Sequence, residues 1–146
     1  MSHTKKPDKA RRLAQLQALG AVHEAHGRAC EDARIGIVAS QFNTTVVDSL
    51  LESALDVLLD KRAVKPENIQ IYRVPGAFEI PLMARKIIKR FDALIALGCV
   101  VRGETAHFDQ VVAGCRQGLV ELIIKNKKPI GYGAVSYTHL TLPTKA

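Results

Sequence analysis

Arg34-Ile-Gly-Ile-Val-Ala-Ser-Gln-Phe-Asn-Thr-Thr-Val-Val-Asp-Ser-Leu-Leu-Glu-Ser-Ala-Leu-Asp-Val-Leu-Leu-Asp-Lys-Arg62 sets two periodicities back to back. Its first part, Arg34–Ser40, is a short run rich in Ile and Val with polar residues at its ends, the pattern of a strand buried on both faces. After Gln41-Phe42-Asn43 the period changes. Apolar residues at 47, 50, 51, 54, 55 and 58 follow helical spacing, while Asp48, Glu52, Asp56 and Asp60 recur every four residues. The first set predicts a core-facing stripe and the second a solvated acidic one. Thr44–Arg62 is therefore expected to be a helix, opened by Thr45-Val-Val-Asp48 as a capping box.

The same alternation continues outward. Ile69–Val74, Ala93–Val101 and Pro129–Val135 repeat the strand pattern. Ala77–Arg90 reads as a second helix, in which Pro81 must either sit in the first turn, where a missing N–H costs nothing, or delay the start. Ala106–Asn126 reads as a third, with Phe108, Val111, Val112, Cys115, Leu119, Leu122 and Ile123 on one face. Four strands separated by three helices imply right-handed βαβ crossovers, hence an α/β sandwich with a mainly parallel four-stranded sheet. Residues 8–28 also look helical, with Ala10, Leu13, Leu16, Ala18 and Leu19 forming a patchy apolar face, and are expected to be an appendage. Three segments follow: a basic extension over 1–33, a core over 34–135, and a tail over 136–146.

The chain has 146 residues, 47% of them hydrophobic, which is one domain with material for a core. No apolar run approaches the roughly 18 residues that a membrane span needs, and no apolar stretch follows the charged N-terminus as in a secretory signal. Three cysteines (Cys30, Cys99, Cys115) make an odd number without a CxxC pair, so a disulfide framework is not expected and a cytoplasmic location is. The five histidines are scattered, so no metal site is expected. The net charge of +7 is spread out: seven Lys/Arg stand against four Asp/Glu in residues 1–34, and fourteen against ten in the remainder. The densest cluster, Lys5, Lys6, Lys9, Arg11 and Arg12, reads as a solvated arm, and with 5% aromatics and no Trp there is little material for stacking on bases.

Open parallel sheets bind ligands beyond the carboxyl ends of their strands. Three loops lie there. In Ser40-Gln-Phe-Asn43, Phe42 either plugs the core or stacks on a planar ligand. In Val74-Pro-Gly-Ala-Phe-Glu-Ile-Pro81, two prolines bracket a glycine, so the main chain is stiff and can approach a ligand closely. The bland alternative puts Phe78 in the core and makes Glu79 a charge matched to a helix dipole. In Leu97-Gly-Cys-Val-Val-Arg-Gly-Glu-Thr-Ala-His-Phe-Asp109, Gly103 permits a tight turn before a helix whose free N–H groups suit a phosphate. His107 falls in the first turn, where the dipole favours a neutral imidazole able to exchange protons near pH 7; a plain surface histidine is the alternative. Neither GxxxxGK[ST] nor GxGxxG occurs, so no motif supports a nucleoside triphosphate or dinucleotide.

Val-Pro-Gly-Ala-Phe-Glu-Ile-Pro (74–81) and Ala-Leu-Gly-Cys-Val-Val-Arg-Gly-Glu-Thr-Ala-His-Phe-Asp (96–109) resemble the two signature loops of the 6,7-dimethyl-8-ribityllumazine synthase family, and Ser-Gln-Phe-Asn (40–43) is similar to its first loop. The resemblance runs from about Arg34 to Val135. It implies a flavodoxin-like three-layer sandwich, assembled as pentamers or larger shells with sites between neighbours. The implied reaction condenses 5-amino-6-ribitylaminouracil with 3,4-dihydroxy-2-butanone 4-phosphate, releasing phosphate and water, without a metal or organic cofactor. It further implies that Phe42 stacks on the pyrimidine and that Ala77, Phe78 and Glu79 hold the ring and ribityl chain. Cys99, Val100 and Val101 would line the pocket, Glu104 and Thr105 meet the phosphate, and His107 donate protons. Tyr132 stands where the family usually has a Phe, supplied by the adjacent subunit. Ser136–Ala146 departs from the family, which continues with a phosphate-binding Arg, a Lys in a Gly/Lys-rich stretch and a closing helix; the ending is expected to be that of a fragment or a foreign tail. Two alternatives accompany this expectation: a catalytically impaired or non-catalytic shell or ligand-binding homologue, and an anion- or nucleic-acid-binding module using Lys5–Arg12.

Overall fold

The computed structural model describes residues 8–23, 31–102 and 107–138, with 101–102, 107–108 and 134–138 placed by backbone alone. The chain order is α1 (Lys9–Ala18), β1 (Ile35–Ser40), α2 (Thr44–Asp56), β2 (Ile69–Val74), α3 (Ile80–Ile87), β3 (Ala93–Arg102), α4 (His107–Asn126) and β4 (Ile130–Thr138). The strands lie in the order β2-β1-β3-β4 and all pairings are parallel. The expected flavodoxin-like α/β architecture is the one found.

Strand alternation divides the core into two layers. Ile35, Ile37 and Ala39 of β1, with Leu97 and Cys99 of β3, pack under α2 against Val47, Leu58 and Val64. The opposite face, with Val38, Leu94, Ala96 and Val100, packs against Ile80, Ala84 and Ile87 of α3 and Cys115, Leu119 and Leu122 of α4. Only the central β1 is buried at every position. β2 and β4 are edges: Ile71 is exposed on one, Gly131 and Tyr132 on the other, so the expectation of burial on both faces fails for these two strands. β4 also runs three residues past the expected Val135, because β3 continues to Arg102 and pairs with it as far as Thr138.

The helices differ from expectation in informative ways. α2 begins at Thr44, after Asn43 in the left-handed region at φ 55°, so Thr45 lies inside the first turn and the expected capping box is displaced. The Thr44 hydroxyl donates to the Gln41 carbonyl at 2.9 Å, and Asp48, expected in a solvated stripe, is engaged by Arg73. α2 runs on through a π-turn, Val57–Lys61, after which Val64 N–H donates to the Leu58 carbonyl at 2.9 Å and both side chains close the core. α3 is flanked by 3-10 turns at Ala77–Glu79 and Ile88–Arg90, with Pro81 in its first turn, one of the two expected placements. The Lys128 ammonium donates to the carbonyls of Ile88 and Lys89, satisfying groups that a helix end leaves free. α1 is shorter than the expected 8–28. Asp8 accepts from the Ala10 amide at one end, and at the other Gly20, at φ 69°, lets the Ala21 amide fold back onto the Leu16 carbonyl. No residue of α1 is buried; positions 24–28 lie outside the described residues.

Candidate functional site

The carboxyl ends of β1, β2 and β3 lie at one edge of the sheet, and the first two loops come together there, while positions 103–106 of the third lie outside the described residues. The first two are stitched by main-chain bonds: Gln41 N–H donates to the Val74 carbonyl at 2.7 Å and Phe42 N–H to the Pro75 carbonyl at 3.0 Å. Both aromatic rings face outward, Phe42 at 54% exposure and Phe78 at 63%. A ring plugging a core is almost wholly covered, so the core-plug alternative fails for both. Their apolar faces are open to a planar partner.

Glycines on neighbouring elements seat the 74–81 loop. A Cβ on Gly98 of β3 would lie 3.2 Å from Ile80 Cδ1 and 3.4 Å from Ala77 Cβ. On α4, a Cβ at Gly114 would lie 3.2 Å from Phe78 Cε2, and one at Gly118 only 2.8 Å from Pro81 Cβ. The bare helix surface at 114 and 118 thus lets Phe78 and Pro81 approach closely. Gly76 has an extended φ of −146° that any residue adopts; its contribution is room, since a Cβ there would meet Glu79 Oε2 at 3.1 Å. Glu79 itself is exposed, and Ala77 is buried.

Cys99 and Val100 are both buried at the end of β3, but strand alternation sends Cys99 under α2 and Val100 under α3 and α4. Their main chain is in register with Val135 and Ser136 of β4 on one side, while on the other β1 pairs with β3 only as far as Leu97. Val101 lies in β3 and His107 opens α4, while their side chains lie outside the described set; Glu104 and Thr105 lie outside it altogether.

Tyr132 is not brought to this edge within one chain. It is in register with Ala96, and Ala96 with Val38, so it stands two strands away and four residues short of Phe42. Its hydroxyl shares a hydrogen bond with the Cys115 thiol on α4; partial burial of that hydroxyl first, and the bond second, push its pKa well above the ordinary phenol value. Burial likewise pushes the Cys115 thiol up, so it remains protonated at neutral pH and is no nucleophile. Cys99 and Cys115 are free, and the sheet lies between them.

Two features were missed in the sequence. Ser40, the last residue of β1, is fully buried, and its hydroxyl has no partner among the described residues. Arg73, near the end of β2, donates to Asp48 Oδ1 at 2.8 Å and to the Ser40 carbonyl at 3.3 Å. A charged residue one place before the end of the Ile69–Val74 strand was the available signal for the second, and the Gly114-x-x-x-Gly118 spacing was a signal for close approach to α4.

Parallel strands in this order, with loops converging at their carboxyl edge and two open aromatic rings there, define a flavodoxin-like α/β protein with a strand-end site. Among known protein families, 6,7-dimethyl-8-ribityllumazine synthase matches residues 32–141, well over half of the chain. The chain belongs to that family, a family of transferases in riboflavin biosynthesis.

Proposed function

We propose that the chain condenses 5-amino-6-ribitylaminouracil with 3,4-dihydroxy-2-butanone 4-phosphate to 6,7-dimethyl-8-ribityllumazine, releasing phosphate and water. The observation that carries this reading is the pairing of two outward-facing rings, Phe42 and Phe78, at the strand-end edge of a chain from this family. In the proposal, Phe42 stacks on the pyrimidine while Ala77, Phe78 and Glu79 hold the ring and ribityl chain. Cys99, Val100 and Val101 contribute main-chain polar groups. Glu104 and Thr105, just before α4, meet the phosphate at a helix start whose dipole favours an anion.

The amine attacks the ketone and water leaves, giving an imine; phosphate is then eliminated, and the ribityl-bearing nitrogen closes the second ring with loss of water. Each stage moves protons, and none requires electrons from outside. His107 is proposed to carry these protons. Holding two reactants in register supplies most of the remaining acceleration. No metal or organic cofactor enters the proposal.

Tyr132 is proposed to complete the site of a neighbouring subunit in a homopentamer or larger shell, located in the cytoplasm. Exposed apolar side chains on the α3–α4 layer, among them Leu82, Val120 and Ile124, support burial against such a neighbour. Steady-state kinetics of Phe42→Ala test the reading. KM for the uracil should rise while KM for the butanone phosphate holds; equal effects on both would remove Phe42 from the pyrimidine site.

A further inference from the structure

The Phe42 passage is short and unusually well tied. Between Ser40 and Thr44 the main chain turns out of β1, passes Asn43 in the left-handed region, and enters α2. Its amides at 41 and 42 bond to the carbonyls of residues 74 and 75, which fixes its height above the sheet but leaves its tilt to whatever holds α2 against β1. Arg73 is placed to do this. It pairs with Ala39, so its side chain emerges on the α2 face of the sheet at the level of the strand end. One guanidinium nitrogen donates to Asp48 in the second turn of α2 and another to the Ser40 carbonyl. The Arg73 side chain is 28% exposed and that of Asp48 50%, so the guanidinium is largely covered while the carboxylate keeps contact with water.

The fork geometry matters. Arginine presents several donors in one rigid plane and can engage two acceptors on different elements at once, whereas a lysine offers one compact charge. Bonds to a carboxylate are also stronger than those between neutral groups. A single planar group therefore bridges the last carbonyl of β1 and the first acid of α2, with Phe42 between them.

We propose that Arg73 is the positioning residue of the Phe42 passage, its bridge from Ser40 to Asp48 fixing the tilt at which the Phe42 ring is presented to the substrate. The last clause rests on the proposed stacking of Phe42; the bridge itself does not. Two readouts separate them: hydrogen exchange at the Gln41 and Phe42 amides, and the kinetic parameters for 5-amino-6-ribitylaminouracil. In Arg73→Met, exchange at these two amides should quicken about tenfold, the factor matching loss of one hydrogen bond to a charged group. Exchange at Leu94, which donates to the Pro129 carbonyl on the far side of the sheet, should stay as it was. KM for the uracil should rise severalfold with kcat nearly constant, and Arg73→Lys should recover part of the loss. Asp48→Asn, which keeps shape and removes charge, should give the same pattern more weakly and serves if Arg73→Met does not fold. Unchanged exchange at 41 and 42 in a folded variant overturns the proposal. Faster exchange with unchanged KM upholds the bridge and instead overturns the assignment of Phe42 to the pyrimidine.

Discussion

A methyl group added at Gly118 should weaken the protein, although alanine is the better helix former. The new Cβ would lie 2.8 Å from Pro81 Cβ and 3.1 Å from Pro81 Cγ. Carbon atoms pack best at about 3.5–4.0 Å, so both contacts fall well inside the repulsive wall. Pro81 cannot rotate away, because its ring is closed on the backbone of the first turn of α3. Relief must come from moving α3 against α4, and overpacking of this kind costs roughly 1–3 kcal/mol. Replacing a helical Gly by Ala returns about 1 kcal/mol. The net is a loss of about 1 kcal/mol, a fall in Tm of roughly 3–5 °C for a chain of this size. Gly114→Ala is the internal control. Its Cβ meets Phe78 Cε2 at 3.2 Å, but that ring is largely exposed and can swing aside. Gly114→Ala should therefore be neutral or slightly more stable while displacing Phe78. Urea and thermal unfolding of the two variants decide the matter. A Gly118→Ala protein at least as stable as Gly114→Ala would refute the reading of α4 as the rigid seat of the 74–81 loop.

Ser40→Ala should raise stability in urea titration by about 1 kcal/mol, since it removes a fully buried hydroxyl that has no partner among the described residues. The Arg34 amide, at 2.8 Å, and then its guanidinium hold the Asp92 carboxyl below the ordinary value of 3.8. A carboxyl depressed on folding adds stability that is complete above its unfolded value and fades as pH falls through its folded one. Tm measured from pH 6 down to pH 2.5 should therefore decline less steeply in Asp92→Asn, by a small margin because the group is on the surface. His107→Ala should slow turnover by a factor within or below the roughly 10²- to 10⁴-fold typical of a positioned acid–base group, without abolishing it; wild-type kcat from pH 6 to 8 would end its proposed role.

What could be read in the sequence was what local periodicity controls. The switch from Ile- and Val-rich runs to helical spacing at Thr44 and again near Ala106 located the strands, the helices and the loops at their junctions. What could not be read depends on which strand neighbours which. β1 and β2 carry similar patterns, yet one is central and the other an edge, so burial on both faces held for Ile35–Ser40 and failed for Ile69–Val74. Asp48 fits the four-residue acidic spacing of α2 as well as Glu52 does; only the parallel pairing of β2 beside β1 brings Arg73 to it. The same holds at the site. Phe42 and Phe78 were visible as aromatic residues in strand-end loops, but whether they faced inward or outward waited on the packing of Ile80 and Pro81 over Gly98 and Gly118. Tyr132 was singled out by the family resemblance, whereas its distance from Phe42 follows from strand order and register.

The most direct test of the central claim is product formation by the purified chain. It is incubated with 5-amino-6-ribitylaminouracil and 3,4-dihydroxy-2-butanone 4-phosphate, with and without EDTA, while lumazine absorbance and inorganic phosphate are followed together. The account predicts 6,7-dimethyl-8-ribityllumazine formed in proportion to protein, with one phosphate released per lumazine and no effect of the chelator. A folded chain that binds the uracil yet makes no lumazine above the uncatalysed background would contradict it and leave a ligand-binding homologue in its place.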